Sequence, residues 1–144
     1  KLGAAVTLLA DVGKASATVL LARYIAAEDA AQLAGFAAFL GHCYPIWLKF
    51  RGGKGVATFF GLLFALSWPI GLVAGATWLG TAALFKYSSL ASLAAAAILP
   101  ILVLLFSSNN LFLLSIALII LIFWRHRENI SRLLNSSESK IGQK

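Results

Sequence analysis

Residues 55 to 85 read GVATFFGLLFALSWPIGLVAGATWLGTAALF, from Gly55 to Phe85, without one Asp, Glu, Lys or Arg. Only Lys86 separates this run from a second uncharged stretch, Tyr87 to Trp124. The two runs hold 31 and 38 residues. As helices they would extend about 46 and about 57 Å, against a hydrocarbon core of about 30 Å, so each must fold back once into a hairpin. The first turn fits Ser67-Trp68-Pro69, because Pro69 cannot continue the helix before it and suits the first turn of the next. The second turn fits Ser107-Ser108-Asn109-Asn110.

Working outward, Leu2 to Leu21 is mostly apolar but carries Asp11 and Lys14, and Ala30 to Gly41 is a shorter apolar stretch. Together these segments predict an all-α, polytopic membrane helix bundle with six transmembrane helices, the shorter ones extending into their flanking loops. Residues 1–134 read as one domain. Residues 135–144, rich in Ser and Lys, read as a solvated polar tail.

Composition agrees. Of 144 residues, 60% are hydrophobic and 12% charged, whereas soluble domains run nearer half apolar and a quarter charged. So few polar side chains could not cover a water-facing surface. The net charge of +7 would suggest nucleic acid in a soluble domain, but here the basic residues alternate with apolar spans instead of forming a stripe. Placing Lys1, Lys49, Arg51, Lys54, Lys86, Arg125, Arg127, Arg132, Lys140 and Lys144 on one side leaves only Arg23 on the other and Lys14 within a helix. The cation-rich side is then cytoplasmic. The lone Cys43 reads as an apolar filler. The chain opens on Lys1 with no n-region or cleavage site, which reads as an internal fragment or processed chain.

The most specific local feature is Gly41-His42-Cys43-Tyr44-Pro45-Ile46-Trp47-Leu48-Lys49-Phe50-Arg51-Gly52-Gly53-Lys54-Gly55-Val56-Ala57-Thr58. Three glycines around Lys54 let the backbone approach an anion, and the helix that follows offers free N–H groups and a positive dipole end. In physical terms this is a phosphate site, although a flexible basic loop would share its composition. It is not a Walker A loop: Leu48 stands where the first Gly belongs, and Gly55 where Ser or Thr would bind magnesium.

A second feature, Trp124-Arg125-His126-Arg127-Glu128-Asn129-Ile130-Ser131-Arg132, follows the last span. On one continuous helix Arg125, Asn129 and Arg132 fall at i, i+4 and i+7, with His126 three before Asn129. A basic interfacial anchor accounts for the arginines; it does not predict His126 and Asn129. Asp11 and Lys14 share a helix face and either form a local ion pair or belong to the cytoplasmic site. Ser88, Ser89 and Ser92 are candidate phosphate donors or helix caps. Two histidines and one cysteine in separate segments are a poor supply for zinc. No side chain looks like an activated nucleophile, which favours direct transfer from an activated donor with the protein positioning phosphates.

The motif GHCYPIWLKFRGGKGVAT, the loop KYSSLAS, the segment RHRENISRLL and the pair Asp11-x-x-Lys14 resemble, in order and spacing over most of the chain, the bacterial acyl-phosphate-dependent glycerol-3-phosphate acyltransferases of the PlsY type. The resemblance implies a multi-pass inner-membrane enzyme that moves a fatty acyl group from acyl phosphate to the 1-hydroxyl of glycerol 3-phosphate. It would need no coenzyme A, metal or other cofactor, and would work as a monomer. The His-x4-Asp box of other acyltransferases is absent, since Trp47 and Ser131 stand five places after His42 and His126.

Carried over by position, the resemblance puts Gly52, Gly53, Lys54 and Gly55 in a phosphate-binding loop with His42 beside it. Ser92, His126 and Asn129 would line the same pocket, with Asp11, Lys14, Arg125 and Arg132 as further substrate-binding residues. Lys54, His126 and Asn129 are the expected catalytic set. The family also has an earlier span and a cytoplasmic glycine- and asparagine-rich loop, absent from residues 1–144. Seven spans are therefore expected in the complete enzyme, and weak or no activity from this piece alone. The alternative reading is a small transporter or channel for phosphate-bearing anions.

Overall fold

The structure, a computed structural model, describes residues 2–106 and 111–143, and among these every regular element is helical. Helix α1 (Leu2–Ile25) turns back through two residues into α2 (Glu28–Cys43). Arg23 closes this turn. Its Nε and Nη2 donate to the Glu28 carboxylate at 2.6 and 2.8 Å, and Nη1 donates to the Ala65 carbonyl at 2.7 Å. That carbonyl lies in the last turn of α3 (Val56–Leu66), where helix carbonyls lack intrahelical partners and a cation is favoured. One side chain thus neutralises an acid and caps a helix.

Helices α1 and α3 run in the same direction and touch closely. Ser16 Oγ donates to the Gly61 carbonyl at 2.8 Å, and any side chain at Gly61 would collide with the backbone of Val12. Small residues at such crossings let helices associate where lipid supplies no hydrophobic drive between them. Ser67 alone, extended at φ −154°, joins α3 to α4 (Trp68–Phe85), and Pro69 stands in the first turn of α4. This turn lies where the sequence placed it.

The second uncharged run departs from expectation. It is split into α5 (Ser88–Ala97) and α6 (Leu99–Phe106), bent by 41°. Pro100, in the first turn of α6, has no N–H for the carbonyl four residues back, which is the physical cause of a break that hydropathy alone hides. The expected turn at Ser107 to Asn110 lies outside the described residues. Helix α7 (Phe112–Arg125) packs against α5 and α6, and α8 (Arg127–Leu134) follows it after His126.

Phe39, Phe59, Leu62, Ile70 and Leu118 fill the interior, yet Leu21, Leu33, Leu79, Leu104 and Leu113 are exposed. Apolar side chains on both faces of a helix are what a lipid solvent permits. Helices α1 and α4 are long and apolar enough to cross a membrane individually, and α5 with α6 passes as one bent span. Helices α3 and α7, with 11 and 14 residues, reach about 16 and about 21 Å, short of the hydrocarbon core. The tail also differs from a solvated end. Most of it is exposed, but Glu138 turns inward and the Ile141 amide donates to the Lys86 carbonyl at 2.6 Å.

Candidate active site

The chain leaves α2 at Tyr44, makes a short helical turn at Ile46–Leu48 and returns over the end of α2 before α3 begins. The return is tight. Lys49 and Phe50 take left-handed conformations, φ 52° and 62°, which residues with side chains rarely adopt. Gly52 lies so close to the carbonyls of His42 and Cys43 that a side chain would overlap them, and its amide donates to the Cys43 carbonyl at 3.2 Å. Gly53 rests on the His42 imidazole, and Gly55, at φ 81°, passes over the Phe39 ring and Cys43 Sγ. The glycines are there because backbone must touch α2.

Arg125 fixes the loop from the other side. Its Nε and Nη2 donate to the carbonyls of Gly53 and Gly52 at 3.1 and 2.7 Å, while its guanidinium stacks 5.0 Å from the Tyr44 ring centre. In a trans peptide the N–H points opposite to the C=O. Holding those two carbonyls therefore turns the amides of Gly53 and Lys54 away from Arg125. Helix α3 starts directly after, with no side-chain cap, so its first N–H groups are open as well. Lys54 is exposed and makes no ion pair among the described residues.

The continuous helix expected from Arg125 to Arg132 does not form. The backbone breaks at His126, φ −100° and ψ 8°, between α7 and α8. As a result Arg125 serves the loop, and Asn129 and Arg132 face elsewhere. His126 itself is 2% exposed. Its Nδ1 lies 2.8 Å from the Ile122 carbonyl, which can only accept, so Nδ1 carries the proton and Nε2 keeps its lone pair. Burial pushes the His126 pKa below its usual value; the Ile122 hydrogen bond opposes this, and the positive charge of Lys54 adds to it. Lys54 and His126 are thus electrostatic neighbours.

Asn129 Nδ2, Ser89 Oγ and Arg132 Nε all donate to the Glu138 carboxylate, at 2.6, 2.6 and 2.7 Å. The Glu138 side chain is 7% exposed. Burial alone would raise its pKa, but the hydrogen bonds from Ser89, Asn129 and Arg132 and the Arg132 charge outweigh it and bring the value down to about 2. Asn129 Oδ1 is buried without a partner among the described residues. The sequence reading overlooks Glu138; of the serines it names, Ser89 makes the Glu138 contact. Ser92 Oγ is engaged with the Ser88 carbonyl and Trp78 Nε1. The available signal was scarcity: the chain has five acids against twelve cations, and a lone acid in a basic tail is poised to pair.

Asp11, Lys14 and His42 form a triangle beside the loop. Lys14 Nζ lies 2.6 Å from Asp11 Oδ1 and 2.9 Å from His42 Nδ1, and Asp11 Oδ1 is 3.3 Å from that nitrogen. A cleft of about 500 Å³ opens here, lined by Thr7, Asp11, Lys14, His42, Gly52 and Gly53 among others. The ion pair and the loop, alternatives in the sequence, are thus both present.

These features define an all-helical integral membrane protein with a glycine-lined cleft and a basic loop at one end. Comparison with known proteins makes this specific. The family profile described as glycerol-3-phosphate acyltransferase matches residues 1–136. Glycerol-3-phosphate acyltransferases of Dinoroseobacter shibae and a Ruegeria species are each 58% identical over 144 residues, all of this chain and 71% of theirs. The crystal structure of PlsY, an integral membrane glycerol 3-phosphate acyltransferase, in its glycerol 3-phosphate form superposes with a TM-score of 0.90 at 35% identity, covering 96% of this chain and 70% of that one. Its lysophosphatidic acid form matches with the same score. The chain belongs to the glycerol-3-phosphate acyltransferase family.

Proposed function

We infer that this chain carries the acyl-transfer site of its family, with glycerol 3-phosphate as acceptor, acyl phosphate as donor, and lysophosphatidate and inorganic phosphate as products of a step in phospholipid synthesis. The observation that carries the reading is Arg125 holding the Gly52 and Gly53 carbonyls, which leaves the loop's amides, Lys54 and the open start of α3 for phosphate. Two phosphate-bearing substrates suit a site whose cations outnumber its acids. The donor's acyl chain can stay in lipid beside the exposed apolar helices.

The 1-hydroxyl oxygen of glycerol 3-phosphate attacks the acyl carbon; the C–O bond to phosphate breaks, and phosphate departs with the bond's electrons. His126, neutral and with Nε2 unprotonated, accepts the hydrogen bond of the attacking hydroxyl, and the proton ends on the released phosphate. Lys54 and the loop amides stabilise the charge that develops on the leaving group. The Asn129 amide, fixed by Glu138, keeps Oδ1 for a substrate hydroxyl. No metal, coenzyme or covalent enzyme intermediate is required.

The reading places the loops around residues 42–54, 86–92 and 125–144 at the cytoplasmic face of a bacterial inner membrane, in a six-span monomeric unit. The test is to incubate the full-length enzyme with acyl phosphate and glycerol 3-phosphate in lipid and to measure lysophosphatidate and phosphate. Equimolar release of both supports the assignment. Passage of glycerol phosphate across proteoliposomes without acyl transfer would replace it with a transporter.

A further inference from the structure

The acyl-transfer reading uses His126 but leaves the Asp11–Lys14–His42 triangle without a task. Its hydrogens can be assigned from chemistry. An ammonium has three donors and no acceptor, so Lys14 Nζ at 2.9 Å from His42 Nδ1 requires a lone pair on that nitrogen. The 3.3 Å separation of Nδ1 from Asp11 Oδ1 is then a contact between two acceptors bridged by one ammonium, and it is the longer of the two as that demands. Asp11, at 2.6 Å from Nζ, holds the Lys14 ammonium aimed at the ring. A neutral imidazole whose Nδ1 accepts must carry its proton on Nε2. That atom faces the phosphate loop: a Cβ on Gly53 would land almost on it.

We propose that Asp11 and Lys14 are positioning residues that hold His42 as the Nε2–H tautomer, making it a hydrogen-bond donor into the Gly53–Lys54 anion site. The assignment rests on the reading of that loop as a phosphate site. The two histidines are then set oppositely by their partners. The Ile122 carbonyl makes His126 an acceptor at Nε2, and the Lys14 ammonium makes His42 a donor there. An acceptor suits the hydroxyl that loses a proton, and a donor suits a phosphate oxygen.

The experiment is ¹⁵N spectroscopy of histidine-labelled full-length enzyme in nanodiscs, with His42→Gln identifying the His42 signals. The wild type is expected to show His42 Nδ1 unprotonated and Nε2 protonated. Lys14→Met, tolerated at a side chain 46% exposed, should abolish that bias and raise the KM for glycerol 3-phosphate about tenfold with kcat little changed, as loss of one charge-assisted hydrogen bond implies. Lys14→Arg should restore the tautomer, and Asp11→Asn should weaken the bias by loosening the hold on Lys14. An Nδ1-protonated His42 in the wild type, or a tautomer indifferent to Lys14→Met, overturns the proposal. So does a tautomer that shifts while KM stays fixed. Failure of the loop reading is separable: there Lys54→Ala leaves glycerol 3-phosphate binding intact while the His42 tautomer remains as assigned.

Discussion

The two ends of the bundle treat their cations differently. At one end Arg23 is wholly consumed by structure, its guanidinium divided between Glu28 and the carbonyls that end α3. At the other, Arg125 spends its donors on Gly52 and Gly53, but Lys54, the residue directly after Gly53, is exposed and makes no ion pair among the described residues. Both ends meet helix termini. The first offers carbonyls and takes a cation from the protein itself; the second offers amides, and no acid among the described residues pairs with the Lys54 beside them. A satisfied terminus holds a fold together, and an unsatisfied one holds it ready for a ligand.

The contrast breaks hardest at Lys54. Lys54→Ala is expected to lower kcat/KM for glycerol 3-phosphate by about 10²–10³-fold, with thermal unfolding in detergent unchanged; equal loss of stability would make Lys54 structural like Arg23. Glu138→Gln should cost about 2 kcal/mol of stability by weakening three hydrogen bonds to a charged acceptor, read as a shift in unfolding temperature. Its folded pKa of about 2 lies beneath the unfolded value of about 4.3. The tether therefore contributes fully above about pH 5 and fades as pH falls towards 2. Arg23→Ala should cost about 1 kcal/mol, as its partly exposed pair and carbonyl bonds imply, and leave both KM values untouched. The smallest effect concerns acidity. Because the His126 pKa lies beneath the ordinary value of about 6.5, Nε2 remains free there. Turnover at that pH should keep more than half its neutral-pH rate and decline only below it; a half-loss at pH 6.5 would mean that His126 titrates as an exposed histidine.

Much of this was legible from residue order. The uncharged runs gave the helices, Ser67-Trp68-Pro69 gave one turn, and GGKG with His126 and Asn129 marked the end proposed above for the substrates. Three things were not legible, each for a local reason. The bend at Pro100 hides inside a run whose hydropathy is uniform. The break at His126 separates Arg125 from Asn129 although their spacing is helical, and Arg125 is held instead by two carbonyls of a loop more than seventy residues away in sequence. Glu138 sits nine residues beyond Asn129 in a polar tail, and only the path of the chain after α8 brings its carboxylate back. Periodicity describes a segment from within; these three depend on what a segment meets.

Cys43 is the chain's only cysteine and is fully buried, with Gly55 lying directly over its sulfur. A maleimide can reach it only when the loop lifts from α2. The labelling rate of the unmodified chain is therefore a clock for loop opening, and a ligand seated on that loop should slow it.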